Sequence, residues 1–302
     1  MTDELAVGID LGGTKILAGV VDAGGRILGQ VKLPTEADKD AETILNNMVS
    51  AAREALAMAG ASVDDVLGVG VGSPAPLDMF KGILLSPGNL PSLHGFPIVA
   101  RVAEALGRPV VLNNDANCFG LAEALYGAGA GAEVCCGFTL GTGLGAFLVI
   151  RGELFNGPHG ASTEIWCSPY QGDQVEEKVS GRGVARNYRK LTERVATARE
   201  IAALAESGDA QARQAWREFG RDLAVPVAWV CNVADPDVVV LGGSMSKAWD
   251  LFQETMFDEA TKYINEVTRR TLRIVPDKLG DAAGMLGAAA LILGPQRSSV
   301  PK

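Results

Sequence analysis

Leu5-Ala-Val-Gly-Ile-Asp10-Leu-Gly-Gly-Thr14-Lys15 decides how this chain is read, because its pattern returns about 130 residues later. The second copy is Cys135-Cys-Gly-Phe-Thr139-Leu-Gly-Thr-Gly143-Leu-Gly145. At one fixed offset Gly8 falls on Gly137, Gly12 on Gly141, and the apolar run Ala18–Val21 on Phe147–Ile150. Each copy reads as strand, tight Gly/Thr loop, strand. Internal duplication of this kind predicts two related domains. Facing each other across a cleft, two such hairpins would offer backbone N–H groups to one polyphosphate.

The flanking sequence extends both copies. Turn chemistry at Asp22-Ala-Gly-Gly25 predicts a third strand over Arg26–Leu33, so the opening is an antiparallel meander. Apolar spacing from Asp40 to Ala59 predicts a helix stopped by Gly60. A strand over Val66–Val71, a helix over Ile98–Leu106, a strand over Val110–Asn113 and a helix over Asn117–Tyr126 follow. The second copy predicts strands Val134–Leu140 and Gly145–Ile150, then an irregular polar stretch from Asn156 to Gly183. Helices are expected at Arg186–Lys190, Ala198–Glu206 and Asp209–Asn232, with Pro226 kinking the last or opening a new one. Strands at Val238–Leu241 and Leu272–Val275 flank a largely helical Trp249–Arg269, and a small-residue helix covers Gly284–Leu293. The prediction is two α/β domains with mixed sheets and a cleft between them. The N-terminal domain spans 1–113 and is completed by a C-terminal helix within 284–302; the C-terminal domain spans 114–283.

Composition bounds the function. The chain has 302 residues, 47% hydrophobic, enough for two substantial cores. A net charge of −9 without a basic stripe argues against nucleic acid as a partner. No apolar run reaches membrane-spanning length, and Met1-Thr-Asp-Glu4 leads into the first strand with no signal peptide, so a cytoplasmic protein is expected. Cys118, Cys135, Cys136, Cys167 and Cys231 form no C-x-x-C pair and are read as free buried thiols; with His94 and His159 the only histidines, a spaced zinc site is not expected. The Pro295–Lys302 tail is the one stretch that reads as disordered.

The chemistry-bearing residues cluster at loops after strands. In Asp10-Leu-Gly-Gly-Thr-Lys15, Gly12 and Gly13 let the backbone approach an anion, Thr14 adds a hydroxyl, and Asp10 can hold a divalent metal directly or through water. The same residues also make a plain hairpin turn. Lys15 reads as a solvated or surface-paired cation, since the G-x-x-x-x-G-K-[ST] spacing is absent. Thr142 and Gly143 repeat the logic. Gly242-Gly243 at the end of a buried strand suits either a flat ring lying on the backbone or a turn that needs glycine. Asn114 and Asp115 end another buried strand: Asp115 can accept a proton from an alcohol and Asn114 can bond a neighbouring hydroxyl, while both are also good helix N-caps. Glu164 and Glu176 add acceptors suited to a polyhydroxylated ligand, or are solvated loop charges.

Taken together, these segments resemble the ROK sugar kinases, within the wider group of actin-like and hexokinase-like ATPases. The resemblance runs from Gly8 to about Leu291. It rests on Asp10–Lys15, Ser86-Pro-Gly-Asn-Leu90, Asn114-Asp-Ala-Asn117, Leu140-Gly-Thr-Gly-Leu-Gly145, Gly157-Pro-His-Gly-Ala-Ser-Thr-Glu164, Ser180-Gly-Arg-Gly-Val184, Leu241-Gly-Gly243 and Leu279-Gly-Asp281. It implies two ribonuclease H-like domains, ATP and Mg²⁺ as cofactors, and a homodimer. It implies Asp115 as general base. Asn89, Asn114, Asp115 and Glu164 are implied as sugar contacts, with Glu176 as the second glutamate and Glu177 its one-residue alternative. The implied ATP and phosphate contacts are Asp10, Gly12, Gly13, Thr14, Lys15, Thr142, Gly143, Gly242 and Gly243.

Two departures stand out. Where the family commonly has Gly-His after the first glutamate, this chain has Trp166-Cys167, and its Cys-x-Cys-Gly-x-x-Gly-Cys zinc cluster is missing from Ser168–Val175. No zinc is therefore expected, and the identity of the sugar is open. A kinase for a hexose such as glucose is the leading expectation. Kinases for fructose, an N-acetylhexosamine or a rarer sugar, and a non-catalytic sugar-binding protein, are the alternatives. The family's repressors carry an N-terminal helix-turn-helix; with this sequence opening at the first strand, DNA binding is not expected.

Overall fold

The computed structural model describes residues 4–294; the terminal stretches that the domain expectation and the tail reading include, 1–3 and 295–302, lie outside them. The first sheet is built from β1 (Leu5–Leu11), β2 (Lys15–Asp22), β3 (Ile27–Pro34), β4 (Val66–Ser73) and β5 (Val110–Asn114), in the order β3-β2-β1-β4-β5. The meander β1-β2-β3 is antiparallel, and β4 and β5 join parallel to β1, so the sheet is mixed as expected. Helix α1 (Ala41–Ala59) buries Ile44, Leu45, Met48, Ala52, Ala55 and Leu56 on its sheet-facing stripe. Asp40 caps it by accepting the Thr43 N–H at 2.8 Å, and Gly60 ends it at φ +67°. Helices α2 (Ile98–Leu106) and α3 (Asp115–Tyr126) complete this part of the chain. The α3 boundary begins two residues earlier than the sequence predicts, because Asn114 caps the helix and Asp115 enters its first turn.

The second sheet carries β6 (Val134–Leu140), β7 (Leu144–Ile150), β8 (Val238–Gly242) and β9 (Arg273–Pro276), with its longer strands in the order β7-β6-β8-β9. Here too one antiparallel hairpin, β6-β7, is followed by parallel partners. The helices are α4 (Gly181–Thr192), α5 (Ala198–Glu206), α6 (Ala210–Ala234), α7 (Trp249–Ala260) and α8 (Glu266–Arg269). Their core gathers Phe138, Tyr188, Trp216, Phe219, Leu223 and Phe252, with Phe219 edge-on to Phe252 at 5.3 Å. Pro226 neither ends α6 nor opens a new helix: the helix runs through it, and the proline is itself buried, so packing outweighs the missing N–H. The stretch Trp249–Arg269 is largely helical as expected, in two helices, the second capped by Asn265 through the N–H groups of Val267 and Thr268.

The last helix, α9 (Ala283–Leu293), packs on the first sheet and on α3. Contacts divide the described chain into two units: residues up to Ala130 with Gly152–Gly160 and those from Asp281 onward, and Gly131–Arg151 with Ala161–Gly280. Among the described residues no helix is long and apolar enough to cross a membrane.

The two hairpins are related as the duplication predicts, with one correction. Leu11 pairs with Ile16, leaving four loop residues, whereas Leu140 pairs with Leu144, leaving three. The partner of Gly8 is Gly19 and that of Gly137 is Phe147, so Ala18–Val21 corresponds to Ala146–Val149, not to Phe147–Ile150. The one-residue-shorter loop shifts everything after it. Gly19 stays small because the Met285 Sδ of α9 would lie 2.6 Å from a Cβ there. At the matching place Phe147 fills the space itself, its ring lying over Gly137.

Candidate functional site

In the first unit, strand register assembles the candidate groups. Asp10 pairs with Gly72 across β1 and β4, and Gly72 pairs with Asn113 across β4 and β5. Three parallel strands therefore end at one level, with Asp10 two strands from Asn113. That is about 10 Å across the sheet at ordinary strand spacing. Asn114 and Asp115 follow at once. The carboxyl edge of parallel strands is where open α/β sheets place ligands.

The residues of this edge are held in different ways. Asn114 Oδ1 accepts the Ala116 N–H at 2.9 Å, so its side chain serves as the helix cap. Asp115 Oδ1 accepts the same N–H at 2.8 Å. Asn113 is buried and is the hub that motif reading missed. Its Oδ1 accepts from the Asn114 N–H and from Asn117 Nδ2, and its Nδ2 donates to Asn156 Oδ1 at 3.1 Å. The signal was present: three asparagines around one aspartate at the end of a buried strand are too many for a single cap.

Asp10 is partly buried, and burial pushes its carboxyl up from 3.8 to about 6, against the pull of Lys15 and with a further push from Asp281. The Cys118 thiol, buried beneath, is raised by desolvation and then by the charges of both Asp10 and Asp115. Lys15 pairs with Asp281 at 3.4 Å, as a surface-paired cation. The loop between β1 and β2 is fixed by Gly12 N–H donating to Lys15 O and by Thr35 Oγ1 donating to Gly12 O at 2.6 Å. Gly13 lies under Asn89, whose Nδ2 would come 2.8 Å from a Cβ at that position. Gly13 is thus small because Asn89 sits on the loop.

Asp10 sets a pH dependence whose sign follows from its raised value. The folded protein holds the proton more tightly than the unfolded chain, so the stability this group contributes is fully present below about 3.8 and is lost as pH rises through about 6. Asp10→Asn should flatten that slope and leave the variant more stable at pH 7, by on the order of 1–2 kcal/mol. Thermal unfolding of both proteins across pH 4–7 checks it; parallel slopes would refute it.

In the second unit the corresponding loop is equally built. Gly141 N–H donates to Gly143 O, and Gly141 O accepts the Gly181 N–H at 2.8 Å, so the first turn of α4 is tied to the loop. Gly243 lies beside Leu140, whose O would come 2.5 Å from a Cβ there, and its φ of +88° is in the region that favours glycine. Gly242 pairs with Thr139. The register thus brings Thr142, Gly143, Gly242 and Gly243 to one sheet edge, joined by the N-terminus of α4.

Glu176 also lies here. Its Oε2 accepts the Leu144 N–H at 2.8 Å, and its Oε1 accepts from Arg182 at 2.6 Å. Arg182, which motif reading passed over, also reaches Glu177 at 2.9 Å, and Arg186 holds Glu177 at 2.8 Å. Glu164 sits in the irregular stretch, exposed, with its Oε2 accepting the Trp166 indole N–H. Cys167 is exposed, against the expectation that all five thiols are buried, because it lies on a short 3₁₀ turn outside the core. The hairpin that follows has neither cysteine nor histidine. Its Tyr170 OH donates to Asp222 at 3.0 Å and its ring stands edge-on to Trp229 at 6.4 Å.

The chain is similar to the glucokinase of Thermotoga maritima, at 28% identity over 95% of this chain and 96% of that one. It is similar to the N-acetyl-D-glucosamine kinase of Escherichia coli, at 32% identity over 95% and 98%. Among solved structures it superposes on a ROK family glucokinase from Streptomyces griseus in complex with glucose and AMPPNP, with TM-score 0.79, 29% identity, and 95% and 98% coverage. The ROK family pattern itself matches residues 6–294, nearly the whole chain, and the chain belongs to the ROK family.

Proposed function

We propose that this sugar kinase transfers the γ-phosphoryl group of ATP to a hexose hydroxyl, with Asp115 as the base. The observation that carries the proposal is the register of the first sheet, which sets Asp10 and Asp115 on one strand edge beside a glycine-hydroxyl loop. The relatives acting on glucose and N-acetyl-D-glucosamine support the substrate class.

Each residue then has a task. Asp115 accepts the proton of the attacking hydroxyl at its carboxylate. Asn113, bonded to Asn117 and Asn156, holds the strand end from which Asp115 projects. Gly12, Gly13 and Thr14, and likewise Thr142 and Gly143, offer phosphates their backbone N–H and hydroxyl groups. Gly242 and Gly243 lie against the adenine side. Glu164 accepts from sugar hydroxyls. Asp10 and Asp281 offer hard carboxylate oxygens of the kind magnesium takes, and a carboxyl that burial has raised to about 6 gains from a cation beside it. Magnesium, when bound, neutralises phosphate charge. With little covalent chemistry to perform, the chain contributes mainly position and charge complementarity.

Coupled measurement of ADP release across glucose, fructose, N-acetylglucosamine and N-acetylmannosamine tests the proposal. Release well above the sugar-free rate is expected with at least one of them. ATP binding without sugar-dependent release from any would leave a non-catalytic sugar-binding protein and end the kinase reading.

A further inference from the structure

The segment around Glu164 is fixed more firmly than an exposed loop requires. Thr163, a β-branched residue, sits at φ +65°, in a region such residues rarely adopt. Its hydroxyl lies within hydrogen-bond reach of two carbonyls, Ser162 O at 2.5 Å and Ala146 O on β7 at 2.9 Å, so its one proton serves the loop or the sheet. Ile165 N–H donates to Thr163 O at 2.7 Å, and Cys167 Sγ donates to Glu164 O at 3.2 Å. The backbone of Glu164 is thus clipped on both sides. Its side chain is held too, by the Trp166 indole N–H on Oε2.

An ionised carboxylate only accepts hydrogen bonds, and it has two oxygens to share. Trp166 occupies one and leaves Oε1 of Glu164 without a partner among the hydrogen bonds of this segment. We propose that Trp166 is a positioning residue for the sugar: its indole N–H fixes the Glu164 carboxylate so that Oε1 faces a substrate hydroxyl. The inference rests on the reading of Glu164 as a sugar contact. Physically, a free glutamate must surrender side-chain rotamer freedom when it binds, and one already held does not. An indole N–H bound to a carboxylate also belongs to the stronger class of hydrogen bonds. Trp166 is itself 37% exposed, and the contact that fixes it to this segment's chemistry is the indole N–H on Glu164.

Trp166→Phe keeps the ring and removes only the N–H. It should raise KM for the sugar about tenfold, the equivalent of one charge-assisted hydrogen bond, with kcat and KM for ATP little changed. Trp166→His, which restores an N–H donor, should recover most of the loss. Glu164→Gln should raise KM as well, and in the Glu164→Gln background Trp166→Phe should add little further. A second readout needs no turnover: saturating sugar should slow iodoacetamide labelling of the exposed Cys167 in the wild type, and ten times more sugar should be needed in Trp166→Phe. If Trp166→Phe leaves the sugar KM unchanged while Glu164→Gln raises it, the positioning role is wrong and Glu164 still binds sugar. If neither variant moves KM, Glu164 is not a sugar contact and both ideas fall. If Trp166→Phe and Trp166→His lose kcat and KM for ATP equally, the tryptophan is only structural.

Discussion

Asp115→Asn is expected to lower kcat by about 10²–10⁴-fold while leaving KM for the sugar close to its wild-type value. The substitution is nearly isosteric, and the local structure does not depend on the charge. Asn114 is the N-cap of α3; its Oδ1 and that of Asp115 both accept the Ala116 N–H, an acceptor oxygen that asparagine at 115 retains, and the Asn113–Asn117–Asn156 network holds the strand end independently. Losing a carboxylate from the first turn of a helix costs only about 0.3–1 kcal/mol, so a fold defect cannot imitate the kinetic one. What disappears is the acceptor for the hydroxyl proton. Positioning of ATP and sugar by the glycine loops persists, which is why a residual rate is expected. Steady-state kinetics with the sugar identified by ADP release decides the matter. Turnover within a few-fold of wild type would remove Asp115 from the role of base, and a matching rise in sugar KM would make it a binding group instead.

The duplicated hairpin was legible because a strand–glycine loop–strand unit has a pattern that survives at a nearly fixed spacing. The loop length was not: one residue fewer between Leu140 and Leu144 is invisible to a fixed-offset comparison, yet it moves every later partner by one. Helices with strong boundaries were legible as well. Ala198–Glu206 is where its capping box, Thr197 with Glu200, places it. Of the two readings of Pro226, a kink or a new helix, the second fails, since α6 runs through the buried proline. At the site, strand ends announced Asp10, Asn114 and Asp115. The reading left Asn114 open between cap and sugar contact, and it is a cap whose Nδ2 is still able to donate. The bonds from Arg182 to Glu176 and from Trp166 to Glu164 were not legible, because a glutamate's partner in an irregular loop depends on side-chain directions that no periodicity encodes.

Gly70→Ala should be the most damaging single methyl group in the first sheet. Gly70 lies in the middle of β4, paired with Gly8 on one side and Val111 on the other. A Cβ there would stand 1.7 Å from Ala288 O, and one at Gly8 would stand 2.0 Å from Met285 O. Both obstacles are backbone of α9, so no rotamer change can relieve them. Movement of the helix is also costly, because α9 is packed as closely on α3, where a Cβ at Gly287 would be 1.6 Å from Cys118 O. Helix and sheet must separate by more than 1 Å, which empties contacts along the whole face. Overpacking that cannot relax belongs in the severe class, and a loss of at least about 3 kcal/mol is expected. Activity should fall with stability, since α9 begins against Asp10, with Gly284 so close that a Cβ there would sit 2.8 Å from the Asp10 carboxyl carbon. Gly60→Ala is the matching control. Gly60 has a left-handed φ of +67° but open space around it, so its cost is conformational only, about 1 kcal/mol. Chemical denaturation of the two variants separates steric from conformational need: a loss at Gly70 no larger than at Gly60 would mean that α9 yields, and that its close seat on the sheet is not what holds the edge carrying Asp10 in place.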